Sequence, residues 1–227
     1  QTYTIVVTRA VATPTLASLT PATGTTAGGT SVVLTGADLT GATAVTFGGT
    51  AATSFTVDSA TQITAITPAH AAGAVDVAVT TPGGTTTLAG AFTYAAPTLS
   101  VNDVGLAEGN AGTTSFTFTV SLSSPAGPGG VSFDIATADD TASSSGGDYA
   151  ASSLTGQTIP AGSSTFDFTV LVNGDTTPEA NETFFVNVTN VTGATVADGQ
   201  GAAVIINDDV ATPTLASLTP ATGTTAG

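Results

Sequence analysis

Apolar and polar residues alternate in short runs along almost the whole chain. Over 165–172, Phe166, Phe168, Val170 and Val172 fall on one side while Asp167 and Thr169 take the other. That period of two is expected of a strand with one face in a core and one in water. Runs of the same kind cover 31–35, 74–80, 115–122, 131–135 and 183–188, built from Thr, Val, Phe and Ile. Clusters of Gly, Pro, Asn and Asp separate them, as turns separate strands. Long straight-chain helix formers are almost absent, and Ala is scattered without a 3.6-residue period, so no helix is predicted. The pattern predicts an all-β chain of antiparallel β-sandwiches.

A repeat fixes the organisation. Residues 210–227 match residues 11–28 letter for letter, an offset of 199 positions. Identity of that length does not arise by chance, so a module is arranged in tandem. Residues 2–8 alternate like a strand but have no partner before them. The expected plan is therefore a closing strand of a preceding β-sandwich over 1–10, a first full domain over 11–96, a second over 97–209, and the start of another copy over 210–227. With no initiator Met and no signal peptide, the chain reads as a mature or excised segment.

Charge separates the two full domains. One Lys+Arg stands against sixteen Asp+Glu, a formal net charge of −15, although only 7% of residues are charged. A nucleic-acid surface is excluded, because nothing neutralises phosphates. The absence of Cys excludes disulfides, thiolate chemistry and Cys-type zinc sites. No apolar run approaches the roughly 20 residues of a membrane helix. Asp38, Asp58 and Asp76 are the only acids before residue 97; the rest lie between Asp103 and Asp209.

Strand direction then concentrates those acids. Strands are expected over 99–103, 115–122, 131–136, 149–157, 165–172, 183–188 and 202–206. Running alternately up and down, they bring the turns after the first, third and fifth strands to the same pole as the end of the seventh. Glu108, Asp139, Asp140, Asp148, Asp175, Glu179, Glu182, Asp208 and Asp209 occupy those places. The opposite pole has Asp198 as its only acid. Like charges a few Å apart repel by about 1 kcal/mol each even in water, and no lysine is present to offset them. A divalent cation removes the repulsion, and an all-oxygen donor set suits Ca2+, with 6–8 ligands in flexible geometry. The alternative is a set of solvated acidic loops.

No enzyme is expected. His70 is the sole histidine; it sits in the 68–73 turn of the acid-poor domain and reads as a loop residue. A glycosidase carboxylate pair normally lies in an aromatic-lined cleft, and here Trp is absent and the three tyrosines are scattered.

Two family resemblances sharpen this reading. Pro14-Thr15-Leu16, Leu19-Thr20-Pro21, Ala27-Gly28-Gly29-Thr30, Val45-Thr46-Phe47-Gly48-Gly49 and the closing Phe92-Thr93-Tyr94 resemble an IPT/TIG immunoglobulin-like domain. Ala107-Glu108-Gly109, Ala136 to Ala142, Gly147-Asp148-Tyr149, Ile159-Pro160-Ala161-Gly162, Asp175 to Phe184 and Ile205 to Asp209 resemble a Calx-beta domain. Residues 1–10 resemble the end of a bacterial cadherin-like sandwich. The fold implied is a tandem of immunoglobulin-like antiparallel β-sandwiches. The Calx-beta resemblance implies calcium ligands at Glu108, Asp148, Asp175, Glu179, Glu182, Asp208 and Asp209, with the Thr177 carbonyl as a further oxygen. Gly174 and Asn207 depart from that pattern where an Asp is common, which implies one or two ions rather than four.

The function implied is a structural, calcium-stiffened repeat of a large secreted bacterial surface adhesin or extracellular filament. Its partners would be neighbouring repeats or identical subunits, and a host or cell-surface ligand. A calcium-sensing regulatory module and a glycan-binding accessory domain of an extracellular enzyme are the alternatives.

Overall fold

The computed structural model describes residues 11–211; the strand expected over 2–8 and residues 212–227 of the repeated segment lie outside the described residues. The first sandwich contains β1 (Thr15–Thr20), β2 (Thr23–Thr25), β3 (Ser31–Ala37), β4 (Ala44–Phe47), β5 (Thr50–Ala51), β6 (Ser54–Ser59), β7 (Gln62–Ile66), β8 (Gly73–Thr81) and β9 (Gly84–Ala95). Sheet order is β1-β3-β7-β6 on one side and β2-β9-β8-β4-β5 on the other. Val32 and Leu34 of β3, Val45 and Phe47 of β4, Val77 and Val79 of β8, and Phe92 and Tyr94 of β9 point into the core. They are alternate positions in each strand, and β3 and β8 fall on the runs expected over 31–35 and 74–80.

The second sandwich contains β10 (Thr98–Val101), β11 (Val104–Ala107), β12 (Thr113–Leu122), β13 (Val131–Asp139), β14 (Ser153–Ile159), β15 (Thr165–Asn173), β16 (Glu182–Thr192), β17 (Thr195–Asp198) and β18 (Gln200–Ile206). Its sheets run β15-β12-β10-β17 and β11-β18-β16-β13-β14. Phe116, Phe118 and Val120 of β12 face Phe184 and Val186 of β16 across a core that also takes in Tyr149. Burial of this set is the main source of cohesion, because each fully buried large apolar side chain contributes about 1.5–3 kcal/mol.

Three features differ from the sequence expectation. Pairing is antiparallel except for β2 with β9, β10 with β17 and β11 with β18, which are parallel. In both domains the opening segment crosses from one sheet to the other and then lies alongside the last strand, which gives β2 with β9 and β11 with β18; β10 pairs with β17 in its own sheet before the crossing. In the second domain the strand expected over 99–103 is β10, ending at Val101, and β11 is a further strand where a turn was expected. At the crossing, side chains replace the ladder: Thr119 N–H donates to Asn102 Oδ1 (2.5 Å) and Ala202 N–H donates to Asp103 Oδ1 (2.7 Å). The strand expected over 149–157 begins only at Ser153. Tyr149 instead makes an isolated bridge with Val172 and stacks its ring on Phe184 at 4.2 Å.

Register establishes the poles of the second domain. Thr113 at the start of β12 lies opposite Asn173 at the end of β15. Asp139 at the end of β13 lies opposite Phe184 near the start of β16. Glu182 pairs with Ile205, and Ala107 with Ile206. Segments 108–112, 140–152, 174–181 and 207–211 consequently emerge at one end. The first sandwich sits at the other end, joined through residues 96–97.

Candidate metal centre

Glu108 follows directly on β11. Its N–H donates to the Ile206 carbonyl (3.2 Å), and its own carbonyl accepts the Thr114 hydroxyl (2.6 Å). Both ends of the peptide are held, and the side chain is turned inward at 6% exposure. Carboxylate oxygens of Glu108, Asp208 and Asp209 all lie within 4.8 Å of one another. Burial pushes the Glu108 carboxyl above its ordinary range, and the negative charges of Asp175, Glu179, Asp209 and Asp208 push it further. Among the described residues there is no Lys or Arg to relieve this.

A second focus lies beside the first. Burial raises the Glu182 carboxyl, and the charges of Asp148 and Glu179 add to the rise. Glu179 therefore acts on both Glu108 and Glu182. Thr177 lies on the same loop, where its N–H donates to Asp175 Oδ1 (2.5 Å) and closes a tight turn.

The carboxylates are partly held by local donors. Asp208 Oδ1 accepts the Gly109 N–H (3.2 Å), Asp209 Oδ1 accepts the Asn110 amide (2.5 Å) and Asp148 Oδ2 accepts the Ser143 N–H (2.7 Å). Asp209 Oδ2 differs: it is buried and has no hydrogen-bond partner among the described residues. An orphaned, buried carboxylate oxygen beside a buried glutamate needs a compensating charge. The donors are all hard oxygens, which fits Ca2+ and not zinc.

Asp139 and Asp140 serve the scaffold. Asp139 Oδ1 accepts the Tyr149 hydroxyl (2.5 Å) and the Ser144 N–H (2.9 Å), which holds its carboxyl below the usual range. Burial is the larger reason that the Tyr149 hydroxyl is pushed up to about 12, with its bond to Asp139 adding to it. Asp140 Oδ2 accepts the Thr183 hydroxyl (2.5 Å). His70 lies on the first sandwich, stacked on Tyr94 at 5.0 Å, with its Nδ1 2.9 Å from the Ala71 carbonyl oxygen.

Comparison with known proteins places this arrangement. A Calx-beta domain model matches residues 95–210, and an IPT/TIG domain model matches residues 14–94. The chain belongs to the Calx-beta domain family. It carries an IPT/TIG domain in tandem with the Calx-beta domain. No curated protein matches it. Among solved structures it is similar to the apo form of the Calx CBD1 domain, at 20% identity over 50% of this chain and 99% of that one, with a TM-score of 0.42. It is also similar to the calcium binding domain CBD12 of CALX1.1, at 20% identity over 49% of this chain and 46% of that one, with a TM-score of 0.41. A third likeness is to SGBP-B from a xyloglucan utilization locus in Bacteroides uniformis, at 11% identity over 79% of this chain and 73% of that one, with a TM-score of 0.32.

The two departures of this Calx-beta domain now have physical reasons. A Cβ on Gly174 would fall 2.0 Å from the Gly109 carbonyl oxygen and 2.9 Å from that of Glu108, so no side chain fits there. Asn207 works as a clamp: its amide donates to the Glu179 carbonyl (2.8 Å), and its Oδ1 accepts the Asp209 N–H (3.0 Å). An aspartate lacks that donor. Sequence reasoning overlooked Asn110 and Thr114, which hold Asp209 and Glu108. The available signal was a short polar run directly after Glu108-Gly109, on the loop already assigned to the acidic pole.

Proposed function

We propose that this chain is a structural repeat of a secreted bacterial surface adhesin or extracellular filament, stiffened by calcium at the acidic pole of its Calx-beta domain. Glu108, Asp208 and Asp209 would hold an ion, with Asp175, Glu179 and the Thr177 carbonyl beside them, and Asp148 and Glu182 would share Glu179. The ion would supply the positive charge that this pole lacks among the described residues and tie together four loops otherwise in mutual repulsion. The observation that carries this reading is the partnerless Asp209 Oδ2 beside buried Glu108. It gains its structural sense from position, because Asp209 is followed at once by the segment that repeats residues 11–28. Calcium here would sit where one repeat leads into the next, outside the cell, with like repeats as neighbours and no reaction catalysed.

Thermal unfolding of this chain with added calcium, magnesium or chelator tests the proposal. Binding confined to the native state stabilises by about 2.7 kcal/mol at a hundredfold excess over Kd, a rise on the order of 10 °C for a domain of this size. No rise at millimolar calcium overturns the metal site. For the structural role, small-angle scattering of a two-repeat chain with calcium and with chelator decides: an unchanged maximum dimension rejects it.

A further inference from the structure

The end of the Calx-beta domain remote from the acids receives the IPT/TIG domain, and its loop contains a glycine that its own domain does not require. Gly127 has no positive φ, unlike Gly129, Gly130 and Gly193 nearby. Any residue can adopt its backbone conformation. Yet a Cβ there would lie 2.5 Å from Thr26 Cβ, 2.7 Å from Thr26 Oγ1 and 3.1 Å from the Thr26 carbonyl oxygen, all on the other domain. Thr26 Cβ is fixed by its backbone, so a rotamer change gives no relief.

Thr26 itself is 4% exposed and held. Its N–H donates to the Ala95 carbonyl (3.3 Å) and its carbonyl accepts the His70 N–H (3.0 Å). A second attachment is the two-residue connection 96–97, with Pro97 buried. The Pro97 carbonyl accepts the Thr195 N–H (3.0 Å), and Thr98 N–H donates to Ser123 Oγ (2.9 Å). Between the two attachments lies a cavity of ≈ 290 Å³ lined from both domains, by Thr26, His70 and Ala96 on one side and Gly127, Gly130 and Ala194 on the other.

We propose that the acid-poor pole of the Calx-beta domain is a docking seat for the IPT/TIG domain, closed by Gly127 against Thr26, and that this seat sets the angle between the domains without any metal. A two-residue connection alone permits bending and twisting. The second contact removes that freedom, and its glycine is kept for the fit between domains. The inference goes beyond the calcium reading, since every contact in it is made at the opposite end.

The chain contains no Cys, so Ala60→Cys and Thr155→Cys, at exposed positions on the two domains, accept a spin-label pair for interdomain distance measurement. In the unaltered seat one narrow distance is expected, the same with calcium and with chelator. Gly127→Ala is expected to broaden it and shift it, while far-ultraviolet circular dichroism stays unchanged. Thr26→Gly combined with Gly127→Ala moves the gap to the other side and is expected to restore the narrow distance, which a misfolded variant would not. A broad distribution in chelator, or an unchanged one in Gly127→Ala, overturns the proposal.

Discussion

The two ends of the Calx-beta domain are made of similar loops on the same strands, and each presses a glycine close against another residue. At the acid-poor end Gly127 meets Thr26 of the neighbouring domain; at the acidic end Gly174 meets the Gly109 carbonyl of its own. One end is completed by packing. The other is left with buried Glu108, four acids acting on it and an oxygen of Asp209 without a partner. A close approach between domains decides geometry, whereas one inside a domain decides stability. Charge left unbalanced at a surface that packing could have covered points to a partner of opposite charge.

The sharpest way to break that contrast is at the glycines. Gly174→Asp adds the carboxylate that its family position suggests, and it is nonetheless expected to weaken the protein. Backbone oxygens at 2.0 and 2.9 Å do not move aside, and overpacking of this kind costs about 1–3 kcal/mol. Urea unfolding measures it, and a gain in stability with calcium present would show that the loop yields.

Glu108→Gln is the next largest and changes sign with the metal. In chelator it removes one charge from a cluster of like charges and is expected to stabilise by about 1 kcal/mol. With calcium it would remove a proposed ligand, so the calcium-dependent rise in melting temperature is expected to fall. The same sign in both conditions would mean that Glu108 is a packing residue only.

A smaller effect follows from pH in the metal-free protein. Glu108 and Glu182 are raised above 4.5, so the native state binds more protons than the unfolded chain above that pH. Stability is therefore lost as pH rises through their native values. Asp134 and Asp139 are held below 3.8 by hydrogen bonds to the charged form, so their contribution is present above 3.8 and is lost as pH falls below it. Metal-free protein is expected to be most stable between 3.8 and 4.5, with calcium flattening the decline toward neutral pH. Melting curves across that range, with chelator and with calcium, check both arms.

Much of this contrast was legible in the sequence. Alternation such as Phe116, Phe118 and Val120 fixed which faces are buried, and counting strands as alternately up and down placed the acids at one pole. That inference survives the strand boundaries that changed, because a further strand that continues an outer one leaves the direction of the chain intact. The sheet crossing at Asn102-Asp103 was not legible, since the ladder there is completed by side chains as common in loops as in strands. Nor was the grouping within the pole. Strand direction grouped Asp139 with Asp148; only the Calx-beta resemblance left Asp139 out of the ligand set, and the Tyr149 hydroxyl bonded to it shows what it holds instead. Gly127 could not be told from its neighbours, because a glycine kept for space and one kept for φ are the same letter.

The least effect is expected where the same chemistry is removed from the other end. Asp198 is an exposed acid away from the cluster, and its Oδ1 accepts the Gln200 N–H (3.2 Å). Asp198→Asn keeps an oxygen for that bond and deletes one negative charge from the same domain. If the calcium response were a general answer to a net charge of −15, this variant would reduce it as Glu108→Gln does. A response built at one pole leaves Asp198→Asn within about 0.5 kcal/mol of the parent, with calcium and without. The ratio of the two responses, read from paired calcium titrations, separates diffuse screening from a site.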